Sequence, residues 1–285
     1  MLAPQIPRSA SDYTADHVEL VRQTILYVAT KLGDLMDEVV VVGGLVPSLL
    51  IDPLALPADT AGHVGTMDLD VGLSLALFDE ERYRNVSARL REAGFAPDKN
   101  ESGRETRQRW CMRGAGVVAA TIDFLIAPSR DDDQGGRLRN IEADFAAAII
   151  PGMHLAFRDR QRIEITGTTI RGERAVRTVS VCGPGAFVVL KALAFRKRGH
   201  DKDAYDLFYV LRNYGAGIAA VVDALRPLLD SAEAREALQI LEQDFMDVDG
   251  LGPRRTAAFL YRRVDDGVQA DVVGFVNALL RGCRD

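Results

Sequence analysis

Three aspartates in two apolar segments carry the clearest chemical signal of this sequence. Asp68 and Asp70 lie two residues apart in the stretch Gly65-Thr66-Met67-Asp68-Leu69-Asp70-Val71, which is typical of a β-strand. Alternate residues of a strand point to opposite faces, so both carboxylates are expected on one face. Two neighbouring carboxylates repel each other unless a cation lies between them, and Mg²⁺ takes such oxygen ligands and usually bridges to nucleotide phosphates. A solvated strand end is the alternative interpretation.

The third aspartate, Asp123, interrupts the apolar run of residues 117–126 between Ile122 and Phe124. A carboxylate that is buried without a partner costs several kcal/mol, so it requires a cation, a metal or water. The strand can emerge into solvent at Asp123, or Arg109 on the preceding strand can pair with it. If Asp123 instead lies beside Asp68 and Asp70, the three carboxylates form a metal site.

A glycine pair follows the first candidate strand. Val39 to Val42 form a β-branched run short enough for a buried strand, and Gly43-Gly44 comes directly after it. Glycines allow a sharp turn there and expose backbone N–H groups to an anion, before a short helix with Pro47 in its first turn. An ordinary turn is the alternative interpretation.

Charged residues recur in two consecutive helices near residue 200. Lys191 lies among apolar residues of a helix over 185–198, where a lysine either extends to solvent or belongs to a site. In the next helix, which Asp201 is expected to cap, Asp203 and Asp206 share one face. Lys202 and Asp206 are four residues apart and can pair, whereas the loop residue His200 is assigned no role.

The segments that contain these residues alternate between predicted helices and predicted strands. We predict a mixed α/β (α+β) fold, with an α/β domain over 1–182 and a helical domain over 183–285. The acidic turn 131–136 is expected to be solvated. Helices are predicted over 14–34, 80–93 (capped by Asp79), 137–150, 185–198 and from 201, and strands over 39–42, around Asp68, over 105–113, 117–126, 161–170 and 175–182.

Composition excludes several classes of protein. With 285 residues, 47% of them hydrophobic, the chain has enough material for a core without disulfides or structural metals. The three cysteines are far apart and lack paired spacing, so neither a disulfide framework nor a zinc site is expected, and a cytoplasmic location fits best. No signal pattern and no run of about 18 apolar residues is present, so export and membrane insertion are not expected.

The charge of the chain is unevenly distributed. The net charge of −6 argues against a protein that coats nucleic acid. Residues 99–214 nevertheless carry a net charge of +6, which leaves −12 for the two flanks together. A polyanion can therefore approach the middle of the chain, although chance segregation of surface charge explains the same numbers. The nearest basic stretch for an RNA backbone contains Arg104, Arg107, Arg109 and Arg113, and pairing of half or more of them with surface acids is the alternative interpretation.

The combination of these motifs resembles the nucleotidyltransferase superfamily and, within it, the AbiEii-like (MenT-like) toxins of type IV toxin–antitoxin systems. The superfamily pattern is a Gly-Gly turn, an Asp-x-Asp strand and a third carboxylate on a later strand. The toxin group adds a lysine in a helix and then Lys-Asp-x-x-Asp. The resemblance spans residues 39–212 and rests on Gly43-Gly44, Asp68-x-Asp70, Asp123, Lys191 and Lys202-Asp203-Ala204-Tyr205-Asp206.

The resemblance implies a nucleotidyltransferase-type mixed sheet flanked by helices, with a C-terminal helical lobe, and a role for each matched residue. Asp68, Asp70 and Asp123 would hold Mg²⁺ or Mn²⁺, and Asp203 and Asp206 would orient Lys191 or the acceptor. The sequence departs from the family at Leu45, where Ser or Thr is common, and at Val64, where Arg is usual. An NTP would be bound by Gly43, Gly44, Thr66 and Lys191.

The activity implied by the resemblance is transfer of a nucleoside monophosphate from an NTP to an RNA hydroxyl, with the tRNA 3′ end as acceptor and a cognate antitoxin as partner. Such transfer would block translation. A second interpretation is a small-molecule nucleotidyltransferase of the aminoglycoside-modifying kind, which an acidic surface would favour and the basic middle segment disfavours. A third is a non-catalytic nucleotide-binding module, against which the three intact aspartates argue.

Overall fold

The computed structural model describes residues 7–58, 60–74, 80–100, 102–112 and 120–284, with the backbone alone for residues 80–83. Within these residues the chain forms one nine-stranded mixed β-sheet and ten α-helices, and the last six helices follow the last strand. The mixed α/β class and the helical C-terminal region expected from the sequence are therefore confirmed.

The strands are β1 (Val39–Val42), β2 (Asp68–Leu73), β3 (Phe95–Lys99), β4 (Glu105–Met112), β5 (Thr121–Ile126), β6 (Leu138–Asn140), β7 (Ala146–Ile149), β8 (Arg160–Thr168) and β9 (Arg174–Cys182). The helices are α1 (Ala15–Leu32), α2 (Val46–Leu50), α3 (Glu80–Glu92), α4 (Leu155–Arg158), α5 (Pro184–Arg198), α6 (Asp201–Asn213), α7 (Ile218–Leu225), α8 (Ala232–Phe245), α9 (Leu251–Tyr261) and α10 (Asp266–Arg284).

The sheet has the strand order β3-β4-β5-β2-β1-β9-β8, and β7 with β6 branches from β5. Strand β2 lies at its centre, antiparallel to β1 and parallel to β5. Strand β4 runs antiparallel to β5 on the other side. The segments with candidate functional residues are therefore consecutive in the sheet, with β5 between β4 and β2.

The sheet belongs to a compact unit made of residues 15–45 and 65–182. All four valines of β1 are buried, as expected for an interior strand of a β-branched run. Helix α1 packs on β8, β9 and β2, and α4 contacts β1 and β9. Trp110, Phe124 and Phe145 contact one another edge to face and fill the core beside β5.

A second compact unit is formed by residues 7–14, 46–64 and 183–284 of the described chain. In it, α5 packs against α6, α7 and α8, and α6 packs against α9 and α10. Phe195 and Phe245 are buried in contact with each other between α5 and α8. The domain boundary between residues 182 and 183 that we derived from the sequence stays a prediction.

The helix predicted over 137–150 is wrong, because this segment forms β6 and β7. Ala146, Ala147 and Ala148 favour a helix by intrinsic propensity, but here they pair with β6 and, through Ala148, with β5. Strand β3 was not predicted. It contains Pro97, which an edge strand tolerates because one side of its backbone needs no partner.

Two smaller expectations also need correction. Asp201 is the first residue of α6, and His200 holds the capping position, without a side-chain hydrogen bond to the helix. In the acidic turn, Asp133 is not solvated like its neighbours. It accepts backbone N–H bonds from Ser129 and Arg130 at 2.7 and 2.9 Å and pairs with Arg139.

Three expectations concern residues outside the described part of the chain: the helix cap at Asp79, the side chain of Arg113 and the strand residues 117–119. The described part includes no helix that combines the length and the apolar character required to cross a lipid bilayer.

Candidate active site

The register of two parallel strands brings the three aspartates together. Asp70 of β2 is paired with Asp123 of β5, and Asp68 lies two residues before Asp70 on the same face of the strand. Leu69 and Val71 point away and are buried, with exposed fractions of 0% and 2%. One carboxylate oxygen from each aspartate lies within 4.8 Å of the others. The two sequence segments therefore form one carboxylate cluster, which is half-buried.

Arg109 of β4 joins this cluster from the neighbouring strand. Its register partner is Asp123, and its guanidinium donates two hydrogen bonds to that carboxylate, at 2.8 Å from Nε and 2.5 Å from the terminal nitrogen. The same terminal nitrogen lies 3.5 Å from Asp68 Oδ2. Asp123 thus pairs with Arg109 and also lies beside Asp68 and Asp70, while its role as a metal ligand stays a prediction.

The electrostatic balance at Asp123 follows from these contacts. Burial raises the pKa of the carboxyl group, and the hydrogen bonds and charge of Arg109 oppose that rise without cancelling it. Conversely, the hydrogen bond to Asp123 and the nearby carboxylates raise the pKa of Arg109 despite its partial burial. The guanidinium is the principal compensation for a carboxylate that is largely removed from water.

The glycine turn lies against the carboxylate cluster. Gly43 directly follows Val42, which is paired with Asp70, and it begins a 3₁₀ turn that also includes Gly44. Its φ of +73° is in the left-handed region, and a Cβ atom at this position would overlap the Asp70 carboxylate. Gly43 is therefore required twice, for the backbone conformation and for its close approach to Asp70.

Thr66 precedes the cluster and is almost fully buried. Its hydroxyl donates a hydrogen bond of 2.8 Å to Asp68 Oδ1. The observed contact of Thr66 is therefore with a carboxylate of the cluster, and it restricts the orientation of Asp68. The nucleotide-binding role implied for Thr66 and for the two glycines stays a prediction.

The chemistry of the cluster fits a hard divalent cation. Its donors are carboxylate oxygens alone, which Mg²⁺ and Mn²⁺ prefer, and Asp68 keeps 37% of its side chain exposed. Within the described residues, no other group of histidine, cysteine, aspartate and glutamate side chains has the spacing of a metal site. Asp68, Asp70 and Asp123 can hold a divalent metal.

Lys191, Asp203 and Asp206 form a separate cluster inside the second compact unit. The ammonium group of Lys191 lies 3.0 Å from Asp203 Oδ1 and 2.6 Å from Asp206 Oδ2. The side chain of Lys191 is 8% exposed, so the interpretation that it extends to solvent is wrong. Lys202 pairs with Asp206 at 2.8 Å, as its spacing predicts, and Arg198 donates two hydrogen bonds to Asp203.

The ion pairs of this cluster favour the charged forms of Lys191, Asp203 and Asp206. Burial alone would lower the pKa of Lys191, but the charges of Asp206 and Asp203 raise it above its usual value. Burial would raise the pKa of Asp206, but Lys191 and Lys202 hold it well below its usual range. The pKa of Lys202 is lowered, mainly by burial. Removal of Lys191 would leave each buried aspartate with one cationic partner, Arg198 for Asp203 and Lys202 for Asp206.

His63 is a member of this cluster that sequence reasoning missed. Its Nε2 lies 2.9 Å from Asp206 Oδ1, its Nδ1 lies 3.2 Å from the Ser48 hydroxyl, and its ring stacks on Tyr205. Burial lowers the pKa of His63 to about 4, against the opposing effect of Asp206. A lone histidine before a strand gave no signal, because its partner lies 143 residues later in the chain.

Comparison with known proteins places few limits on function. No protein-family model matches the chain, and no curated protein matches it. The solved structures that resemble the chain include the crystal structure of an antigenic nucleotidyltransferase-like protein from Paracoccidioides brasiliensis, with a TM-score of 0.42 and 16% sequence identity. The likeness covers 81% of this chain and 89% of that one. At this level of similarity the function has to be argued from the site itself.

Proposed function

We propose that the chain is a metal-dependent nucleotidyltransferase that moves a nucleoside monophosphate from an NTP to a hydroxyl group of RNA. The observation that supports this proposal is the convergence of Asp68, Asp70 and Asp123 within 4.8 Å beside a glycine turn. These are the residues that the resemblance to nucleotidyltransferases singles out in the sequence. The glycine turn packs directly against the cluster, because a Cβ atom at Gly43 would overlap the Asp70 carboxylate.

The proposed metal is Mg²⁺ or Mn²⁺, held by Asp68, Asp70 and Asp123. When bound, it neutralises the triphosphate and stabilises the charge that develops on the attacking and leaving oxygens. The Thr66 hydroxyl holds Asp68 in place through its hydrogen bond.

Residues of this chain then bind and orient the triphosphate. Gly43 and Gly44 offer backbone N–H groups to its β and γ phosphates, since no side chain at these positions blocks an approaching oxygen. In the helical unit, Asp203 and Asp206 orient the ammonium group of Lys191, and the phosphate contact that the resemblance implies for this lysine stays a prediction.

The transfer step forms a bond between the acceptor oxygen and the α-phosphorus and breaks the bond from that phosphorus to the β-phosphate oxygen. Pyrophosphate leaves, and the hydroxyl proton must pass to a base. Asp123 either completes the carboxylate set or accepts this proton, and its burial raises the pKa in the direction that favours a base.

The tRNA 3′ end is the acceptor that we propose, on the strength of the toxin resemblance and the net charge of +6 in residues 99–214. With this acceptor the protein is a cytoplasmic toxin that blocks translation, and a cognate antitoxin is its partner. Arg104 and Arg107 remain candidates for backbone contacts, whereas Arg109 is engaged with Asp123.

A transfer assay tests the proposal. Purified protein is incubated with Mg²⁺, total tRNA and each of the four α-³²P-labelled NTPs, beside an Asp70→Asn variant that keeps the side-chain shape. We expect label on tRNA from one or two NTPs, reduced about 1,000-fold or more in the variant. Absence of label with every NTP contradicts the RNA acceptor, and label on an aminoglycoside instead would assign the chain to the small-molecule class.

A further inference from the structure

Arg109 holds a position in the carboxylate cluster that a metal ion would also favour. Its guanidinium uses both oxygens of Asp123 and reaches within 3.5 Å of Asp68. Strand pairing fixes this arrangement, because Arg109 is the register partner of Asp123 across β4 and β5. The cluster therefore already contains one cation, which the protein itself supplies.

A guanidinium and a divalent metal cannot share Asp123 without cost. Two cations a few ångströms apart repel each other strongly in a site that is partly removed from water. Each oxygen of Asp123 accepts one hydrogen bond from Arg109, so a metal ligated by Asp123 would share a carboxylate oxygen with the guanidinium and lie close to its positive charge. Asp68 interacts more weakly with Arg109, since its only contact with the guanidinium is one of 3.5 Å.

We infer that Arg109 competes with the divalent metal for Asp123 and thereby sets the metal affinity of the cluster. This inference rests on the metal site of the proposed function. In the metal-free protein Arg109 neutralises Asp123. Metal ligation by Asp123 favours movement of the guanidinium away from the metal charge, and solvent is accessible to it because 40% of the Arg109 side chain is exposed. The released guanidinium is then a cation beside the site that can bind a phosphate oxygen.

The test is the affinity of the full-length protein for Mn²⁺, measured by the loss of the free Mn²⁺ signal in electron paramagnetic resonance. The variant is Arg109→Gln, and the matched control is Arg107→Gln, which removes the same charge from the same strand. Arg107 forms no ion pair with any described residue. Asp70→Asn identifies the site, because it should abolish Mn²⁺ binding.

The inference predicts that Arg109→Gln binds Mn²⁺ roughly tenfold more tightly than the wild type, while Arg107→Gln changes the affinity less than about twofold. Equal or weaker binding by Arg109→Gln overturns it. If neither the wild type nor Arg109→Gln binds Mn²⁺, the metal site fails and the proposed function falls with the inference. If the wild type binds Mn²⁺ and Arg109→Gln binds it with the same affinity, the competition is refuted and the metal site stands.

A measurement on the wild type covers the case in which Arg109→Gln does not fold. The Nε–H group of Arg109, whose hydrogen is bonded to Asp123, gives a guanidinium resonance in a ¹H–¹⁵N spectrum. Titration with diamagnetic Mg²⁺ should shift or broaden this resonance at the same concentrations that saturate the site. An unchanged Arg109 resonance at saturating Mg²⁺ overturns the inference.

Discussion

At the scale of single residues, the candidate site depends on close contacts between unlike groups. Asp123 is held between Arg109 and two further aspartates, and Gly43 brings its backbone against Asp70. His63 is buried with its ring on Tyr205 and its Nε2 on Asp206. From these contacts we predict how substitutions at Gly43 and His63 change activity and stability.

A methyl group at Gly43 should damage the site more than the fold. In Gly43→Ala the Cβ atom has to displace the Asp70 carboxylate, and the positive φ adds about 1–2 kcal/mol of strain. Gly172→Ala is the matched control, because its φ is +79° and nothing lies within 4 Å of the added atom. We expect similar losses of thermal stability and a loss of at least about 100-fold in transfer activity for Gly43→Ala alone. Equal activity of the two variants would show that the glycine turn is not part of the site.

The titration of His63 should make stability depend on pH. The folded protein holds its pKa near 4, whereas the unfolded chain has the usual value of about 6.5. Between these values the unfolded chain binds a proton that the folded protein does not, so the free energy of unfolding rises with pH. The rise approaches about 1.4 kcal/mol per pH unit and totals about 3 kcal/mol.

Urea unfolding followed by circular dichroism from pH 4 to 7 measures this dependence. His63→Gln should flatten the curve in this range, whereas the control His200→Gln, which changes an exposed histidine, should leave it unchanged. A wild-type curve as flat as that of His63→Gln would contradict a buried neutral histidine.

At the scale of elements, strand pairing positions the carboxylates, and only part of it was predictable. The valine run of β1 and the apolar sequence around Asp123 indicate buried strands directly, and alternation places Asp68 and Asp70 on one face. Local sequence names Arg109 as a possible partner of Asp123, but it does not contain the register that sets Asp70 opposite Asp123. For the same reason the alanines of β7 were predicted as helix, because their partners in strand β5 lie 23 residues earlier in the chain.

Helices α5 and α6 are joined by the ion cluster around Lys191. Lys191→Met leaves Asp203 and Asp206 buried with fewer positive charges, and we expect a loss of about 3–5 kcal/mol in the free energy of unfolding. Lys197→Met, an exposed position of the same helix, should cost less than about 0.5 kcal/mol. Urea titrations at pH 7 compare the two. Equal effects would mean that the ion pairs of Lys191 do not stabilise the helical unit.

At the scale of the whole molecule, the chain consists of two compact units, each with its own charged cluster. The carboxylate cluster belongs to the unit that contains the sheet, and Lys191, Asp203, Asp206 and His63 belong to the helical unit. The sequence predicted the fold class and the members of both clusters except His63 and Arg198. His63 and Arg198 were missed because their partners, Asp206 and Asp203, lie in another element of the structure. No local sequence pattern indicates such a pair.

The most direct test of the central claim compares α-³²P and γ-³²P NTP in one reaction with Mg²⁺ and tRNA, beside Asp70→Asn. Nucleotidyl transfer predicts that the α label stays on the acceptor while the γ label leaves in pyrophosphate, and that the variant produces neither. Transfer of the γ label to the acceptor, or pyrophosphate release that Asp70→Asn does not affect, would contradict the assignment of the carboxylate cluster as a nucleotidyl-transfer site.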